Sequence, residues 1–344
     1  MLVRRAGIGL ALLLLQALAW SAPDWRLTIV HTNDTHGMMM PFDYESGGRK
    51  LPNVGGLARR ASAVAQIRRG LDHASVLLDC GDFFARGPWH ARFMGAPEVD
   101  AYNLMGYDLL CVGNNEFKAT GGVDAQEAML RLARRSRFPW LAANVTVGDT
   151  GVPIEGIRPF VVRVLDGVRV GFLGLTAPRS GGLPQTQGWR FSDPLAAARK
   201  WVPIARRECD ILIAVTHIGE WSDRRLAAEV PGIDAIVGGD SHTYLRAPLL
   251  IRGPEGADVP VAQAGESGVV VGRLDLTFTH SDRWRLTHTE GRLVLIDRTY
   301  TEDPAVKALL DRWLRPAATS RLAPAGWASW LCGLPWSPIA SARA

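Results

Sequence analysis

The chain has 344 residues and is 47% apolar, enough for one large domain with a substantial core and too apolar for disorder on a large scale. Its formal charge of +5 drops by two if Arg4 and Arg5 leave with an N-terminal leader. So small a balance argues against nucleic acid as a partner.

Arg4 and Arg5 precede an apolar run from Ala6 to Ala19 that is too short to cross a bilayer comfortably, and small residues follow before Pro23. This is the pattern of a secretory signal peptide over residues 1–22 rather than of a permanent anchor. Ala17-Leu18-Ala19 and Ser21-Ala22 both offer cleavage signals. No later stretch is long enough to span a membrane, so a periplasmic or secreted mature protein without a stable membrane span is expected.

From Trp25 onward, short runs of Val, Ile and Leu alternate with longer amphipathic segments. Strands are predicted at Leu27–Thr32, Ser75–Asp79, Leu109–Val112, Trp140–Ala143, Val161–Leu165, Val168–Leu175, Ile211–Thr216, Ala235–Val237 and Val259–Ala264. Helices are predicted at Gly56–Arg69, Asp124–Arg135, Pro194–Glu208 and Asp223–Glu229. Continuous apolar strands separated by helices imply a sheet covered on both faces. Val269–Phe278 and Arg283–Leu295 are longer and alternate with polar residues, so they are expected to pair antiparallel through His280-Ser281-Asp282 and to make the sheets mixed. The main domain is placed at residues 25–298. Residues 299–344 hold a helix, Ala305–Leu314, and then an Ala, Pro and Trp-rich tail expected to be poorly ordered, with Trp327, Trp330 and Trp336 lacking a partner element. Cys80 and Cys111 sit in apolar runs and are expected to be unpaired core thiols.

The ends of five predicted strands carry polar residues. Leu27–Thr32 runs into Asn33-Asp34-Thr35-His36-Gly37, Ser75–Asp79 into Cys80-Gly81-Asp82, and Leu109–Val112 into Gly113-Asn114-Asn115-Glu116. Ile211–Thr216 ends in His217, and Ala235–Val237 in Gly238-Gly239-Asp240-Ser241-His242. Open α/β sheets keep their sites at such ends. A single Gly-Asp is more often a turn, and a single strand-end histidine a structural residue. Five ends in order, offering Asp34, His36, Asp82, Asn114, His217, Asp240 and His242 without a cysteine, suit a pair of Mn²⁺, Zn²⁺, Fe or similar ions.

The stretch from Ile29 to Gly37, with Gly55-Gly56-Leu57-Ala58-Arg59, Gly81-Asp82, Gly113-Asn114 followed by Glu116-Phe117, and Ser241-His242-Thr243, resembles the calcineurin-like metallophosphoesterases of the 5′-nucleotidase family. The resemblance runs from about Leu27 to about Leu295. It implies an α/β fold, a four-layered α/β/β/α sandwich of two mixed sheets. It also implies a first metal held by Asp34, His36 and His242, a second by Asn114 and His217, and Asp82 bridging them. The reaction it implies is hydrolysis of a small phosphorylated substrate such as a nucleotide, by in-line attack of a hydroxide on phosphorus.

The sequence departs from the family on one side of this set. Gly-Asn-His-Glu-Phe-Asp appears as Gly113-Asn114-Asn115-Glu116-Phe117-Lys118, so Asn115 replaces the catalytic histidine and Lys118 the aspartate that orients it. Gly-His-Ser-His appears as Gly239-Asp240-Ser241-His242, so a carboxylate replaces an imidazole of the second site. Asparagine can donate to a phosphoryl oxygen but supplies no proton to a leaving group. Lys118 is a candidate for electrostatic help, against a bland reading as a solvated lysine. Arg86 is a candidate for substrate contact, although a solvated loop is the bland home for it and for His90. Arg179 and Arg190 flank a Gly-rich loop, Ser180–Gly188, that could reach over the site.

No counterpart of the family's C-terminal base-stacking domain is seen, so weak selectivity for nucleotides is expected. The leading function is an exported two-metal hydrolase of phosphoric esters. The alternatives are a metal-binding pseudoenzyme that holds a phosphate-containing ligand without turnover, and a relative of the periplasmic sulfur-oxidation hydrolase that releases sulfate from a carrier protein.

Overall fold

The computed structural model describes residues 24–46, 48–87, 89–118 and 125–315. The expected signal peptide, the start of the predicted helix at Asp124, and the tail with its three tryptophans lie outside them. Among the described residues no helix is long and apolar enough to cross a membrane.

Two mixed sheets form the centre. The seven-stranded sheet runs in the order Trp284–Leu295, Val270–His280, Trp25–Thr32, Ala74–Asp79, Leu109–Cys111, Trp140–Leu141, Ile157–Arg158. Its last five strands are parallel, and the Val270–His280 strand pairs antiparallel with both neighbours. The six-stranded sheet runs Leu249–Arg252, Asp258–Gln263, Ala235–Gly238, Ile211–His217, Val168–Thr176, Phe160–Leu165, with its two edge strands antiparallel.

Alternation along the strands decides what each face meets. Leu27, Ile29, Val76 and Leu78 point inward and pack against Phe172, Ile213, Val215 and Val237 of the other sheet. Val30 and Leu77 point outward, where Leu57, Val64, Tyr102 and Leu310 of the helices Leu57–Arg69, Ala96–Met105 and Pro304–Leu314 cover them. Leu173, Leu212 and Ile236 do the same on the other sheet beneath Pro194–Ala205 and Glu220–Glu229. The result is helix, sheet, sheet, helix, as the sequence reading expected. Cys80, Cys111 and Cys209 are buried and unpaired.

Several elements are absent from the sequence reading. A hairpin of Phe42–Ser46 and Arg49–Val54 follows the first strand, and its mixed exposure hides the alternation. The helix Ala96–Met105 begins Ala-Pro between left-handed glycines at Gly95 and Gly106, and it has almost no amphipathic contrast because both its faces are partly covered. His90 is not on a solvated loop: it opens the short helix His90–Phe93, with its ring 5.3 Å from that of Phe84.

Candidate metal centre

All five strand-end segments converge at one end of the two sheets. The first two continue past their strands as a paired ribbon: Cys80 N donates to Thr32 O, Asp34 N to Gly81 O and His36 N to Asp82 O, at 2.8–2.9 Å. Asp34, His36, Asp82, Asp240 and His242 all lie at positive φ, between 49° and 84°. For non-glycine residues such a backbone costs about 1–3 kcal/mol each and persists only where surroundings impose it.

The surroundings can be named. Glu116 accepts from the amides of Gly113, Asp82 and Phe83 at 2.6–3.1 Å, tying the second loop to the third. Asn33 spans from the Ala264 amide to the Gly265 carbonyl and also donates to Asp34 Oδ2. Gln263 accepts from Ser241 Oγ and Thr243 N and donates to Gly239 O, which fixes the loop carrying Asp240 and His242. Gly113 is required by space, since a Cβ there would stand 2.4 Å from Asp82 N and Oδ1.

Two donor groups result, Asp34 with His36 and His242, and Asp34 with Asp82 and His217. Asp34 Oδ2 takes the Asn33 amide and Asp240 N, while its Oδ1 is buried without a hydrogen-bond partner. His242 Nε2 lies 3.4 Å from that oxygen and His36 Nε2 3.9 Å, and the two imidazole nitrogens face each other at 3.2 Å. Glu266 orients His242 through Nδ1 at 3.0 Å. Burial alone would raise the Glu266 carboxyl, but the His242 contact holds it below its usual range. Burial is also the main cause that lowers His36 to about 4, which keeps that imidazole neutral and able to offer a lone pair.

His217 is the centre of the second group. Its Nδ1 is bonded to Cys80 O at 2.6 Å, so Nε2 faces Asp82 Oδ1 and Asp240 Oδ1 at 3.4 Å and Asp34 Oδ1 at 3.9 Å. A buried imidazole nitrogen ringed by carboxylates, with an orphaned Asp34 oxygen beside it, fits a cation: burial alone would lower the imidazole, but the carboxylates already raise it well above its usual pKa, so positive charge is favoured there. The donors are oxygen and nitrogen only, as borderline divalent ions prefer.

Asn115 and Lys118 belong to this centre. Asn115 N donates to Asp82 Oδ1 at 2.7 Å, its side-chain amide donates to Asp82 Oδ2, and Lys118 Nζ donates to Asn115 Oδ1 at 3.2 Å. Lys118 is therefore not merely a solvated lysine, and its contact fixes which way the amide of Asn115 points. Arg179, at the start of the Gly-rich loop, bonds Asp240 and Asn114. Arg190 does not, and pairs instead with Asp149. Arg86 is exposed on its loop, at positive φ. His31, next to the site in sequence, points away against Gly272, and burial pushes it down to about 3.

Glu116, Gln263 and Glu266 were missed as site residues. Glu116 lies inside the Gly113–Lys118 motif, and Gln263 and Glu266 flank the end of the predicted strand Val259–Ala264, where no Asp, Asn or His marks a donor.

The calcineurin-like phosphoesterase family model matches residues 27–244, which contain all the donors just described. The 5′-nucleotidase of Bos taurus is 32% identical over 327 residues, covering 88% of this chain and 55% of its own length. A 5′-nucleotidase precursor from Thermus thermophilus superposes with a TM-score of 0.74 at 30% identity, covering 84% of this chain and 58% of that one. A sulfate thiohydrolase, also from Thermus thermophilus, shares the fold with a TM-score of 0.73 at 17% identity, over 85% of this chain and 61% of that one. The chain thus spans little more than half the length of these relatives. With a matched region that covers most of the chain and the donors gathered where its strands end, this protein belongs to the calcineurin-like phosphoesterase family.

Proposed function

We propose that the chain is an exported hydrolase of phosphoric esters that works with two divalent metal ions. Asp34, His36 and His242 would hold the first ion, Asn114, His217 and Asp240 the second, and Asp82 would lie between them. The observation that carries this reading is the unpartnered Nε2 of His217 among three carboxylates beside the unpartnered Oδ1 of Asp34. Divalent ions held there would acidify water and offset charge on the phosphoryl oxygens. The 5′-nucleotidase relatives support a small phosphorylated substrate, nucleotides included. Export rests on the leader pattern of residues 1–22.

The chain's own residues shape the reaction. Lys118 holds the oxygen of Asn115, so the amide N–H is aimed into the site and can move from Asp82 to a phosphoryl oxygen. That contact stabilises developing charge, but an amide transfers no proton near neutral pH. The leaving group must depart as its anion or be protonated by solvent, so esters of acidic alcohols and phenols are the favoured substrates. Asn115 also supports a second reading, a protein that binds phosphate esters without turnover, because ion binding and proton donation rest on different residues.

The test is phosphate release from AMP, and chromophore release from a chromogenic monoester and a chromogenic diester, by the Mn²⁺- or Zn²⁺-loaded chain, with Asp82→Asn alongside. Turnover lost in the variant supports hydrolysis and names the substrate class. Metal binding with no turnover above the variant turns the account to the second reading.

A further inference from the structure

Arg179 follows the strand Val168–Thr176 on a single turn, Pro178–Ser180. The turn is braced on both sides. Before it, Asn144 exchanges hydrogen bonds with the backbone N–H and C=O of Thr176 at 2.9 and 2.8 Å, and after it Thr186 Oγ1 donates to Ser180 O at 2.8 Å. From this base the guanidinium donates through Nη1 to Asp240 Oδ2 at 2.7 Å and through Nη2 to both Asp240 Oδ1 and Asn114 Oδ1.

These are the oxygens that Asn114 and Asp240 would offer to the second ion. Asp34, His36 and His242 make no hydrogen bond to this arginine. A carboxylate at position 240 presents two oxygens to the planar guanidinium fork, which an imidazole could not do. The carboxylate at 240 and the arginine at 179 thus act as one unit.

We propose that Arg179 is a resident cation of the second site, which competes with the second divalent ion for Asp240 and Asn114. The ions then enter in order. The first site fills without displacing Arg179, and the second ion binds only by displacing the guanidinium, with an affinity reduced by that exchange. The displaced side chain, half exposed and tethered at a braced turn, becomes free to meet the phosphate of a substrate. This rests on the two-ion reading above and adds an order and an affinity difference to it.

The test is calorimetric titration of the metal-free full chain with Mn²⁺, for the wild type, Arg179→Ala and Arg179→Gln, with Asp82→Asn as a control. Arg179 is half exposed, so neither substitution opens a core cavity, and the glutamine variant keeps polarity while removing charge. The wild type is expected to bind two ions in separate steps. Both variants should tighten the second step by about tenfold, as expected for releasing charge-assisted hydrogen bonds, and leave the first unchanged. Two ions bound with an unchanged or weakened second step in both variants overturns the role of Arg179 and leaves the metal reading standing. No binding by the wild type, or binding that Asp82→Asn leaves intact, overturns the metal reading and this proposal with it.

Discussion

The bond from His217 Nδ1 to the Cys80 carbonyl, 2.6 Å long, fixes the ring so that Nε2 faces Asp34, Asp82 and Asp240, whose charges outweigh burial and raise the imidazole well above its usual pKa. Three carboxylates in a nearly dry site repel one another unless positive charge joins them.

Divalent ions should therefore stabilise the folded chain strongly. An ion at about one hundred times its dissociation constant adds roughly 2.7 kcal/mol, a rise of several degrees in Tm. Thermal unfolding with Mn²⁺ and with a chelator measures this. The shift should shrink in His217→Ala, which removes a donor of the second ion and leaves Asp34, His36 and His242 in place, and an undiminished shift in that variant would place the second ion elsewhere.

Gly113 has no room for a methyl group, since a Cβ would meet Asp82 N and Oδ1 at 2.4 Å. Gly113→Ala should push the Asp82 loop aside and weaken ion binding at least tenfold, about 1.4 kcal/mol, while the sheets and their circular dichroism persist. Unchanged affinity would mean the loop yields freely.

Restoring the family's pair with Asn115→His and Lys118→Asp together should speed hydrolysis of alkyl phosphates by about 10²- to 10⁴-fold, the usual contribution of an acid–base group. Aryl phosphates, whose leaving groups need no proton, should gain much less. Rates across a series of leaving groups give the comparison, and an equal gain for both classes would show that Asn115 does not limit proton transfer.

Glu98, packed against the Gly37 that follows His36, provides a pH test of stability. Burial raises its carboxyl from 4.5 to about 7, and its Oε2 has no partner. Because the folded value lies above the unfolded one, its favourable contribution is complete below about pH 4.5 and is lost as pH rises through about 7. Glu98→Gln should match the wild type near pH 4 and be more stable by about 1–3 kcal/mol at pH 8. Denaturant unfolding in chelator at both pH values measures it, and equal stability at pH 8 would contradict the burial account.

The sequence made the sheet strands and the donors legible for a common reason: apolar runs long enough to be buried on both faces end abruptly in Gly, Asp, Asn and His. Leu27–Thr32 with Asp34 and His36, and Ile211–Thr216 with His217, needed only local pattern. What stayed hidden depends on contacts between distant segments. The Arg179 contact with Asp240 spans 61 positions and that of Glu266 with His242 joins two different loops, and neither leaves a periodic trace. The helix Ala96–Met105 was hidden because its weak apolar contrast carries no 3.6-residue signal.

If the strand-end donors hold ions that drive ester hydrolysis, turnover must track their occupancy. The most direct measurement is stepwise addition of Mn²⁺ to the metal-free chain while phosphate release from a chromogenic monoester is followed. No turnover is expected without metal, little at one equivalent, and a rate that rises as the second ion binds and saturates at two. A rate that survives chelation, or that saturates at one equivalent, would contradict two-ion hydrolysis.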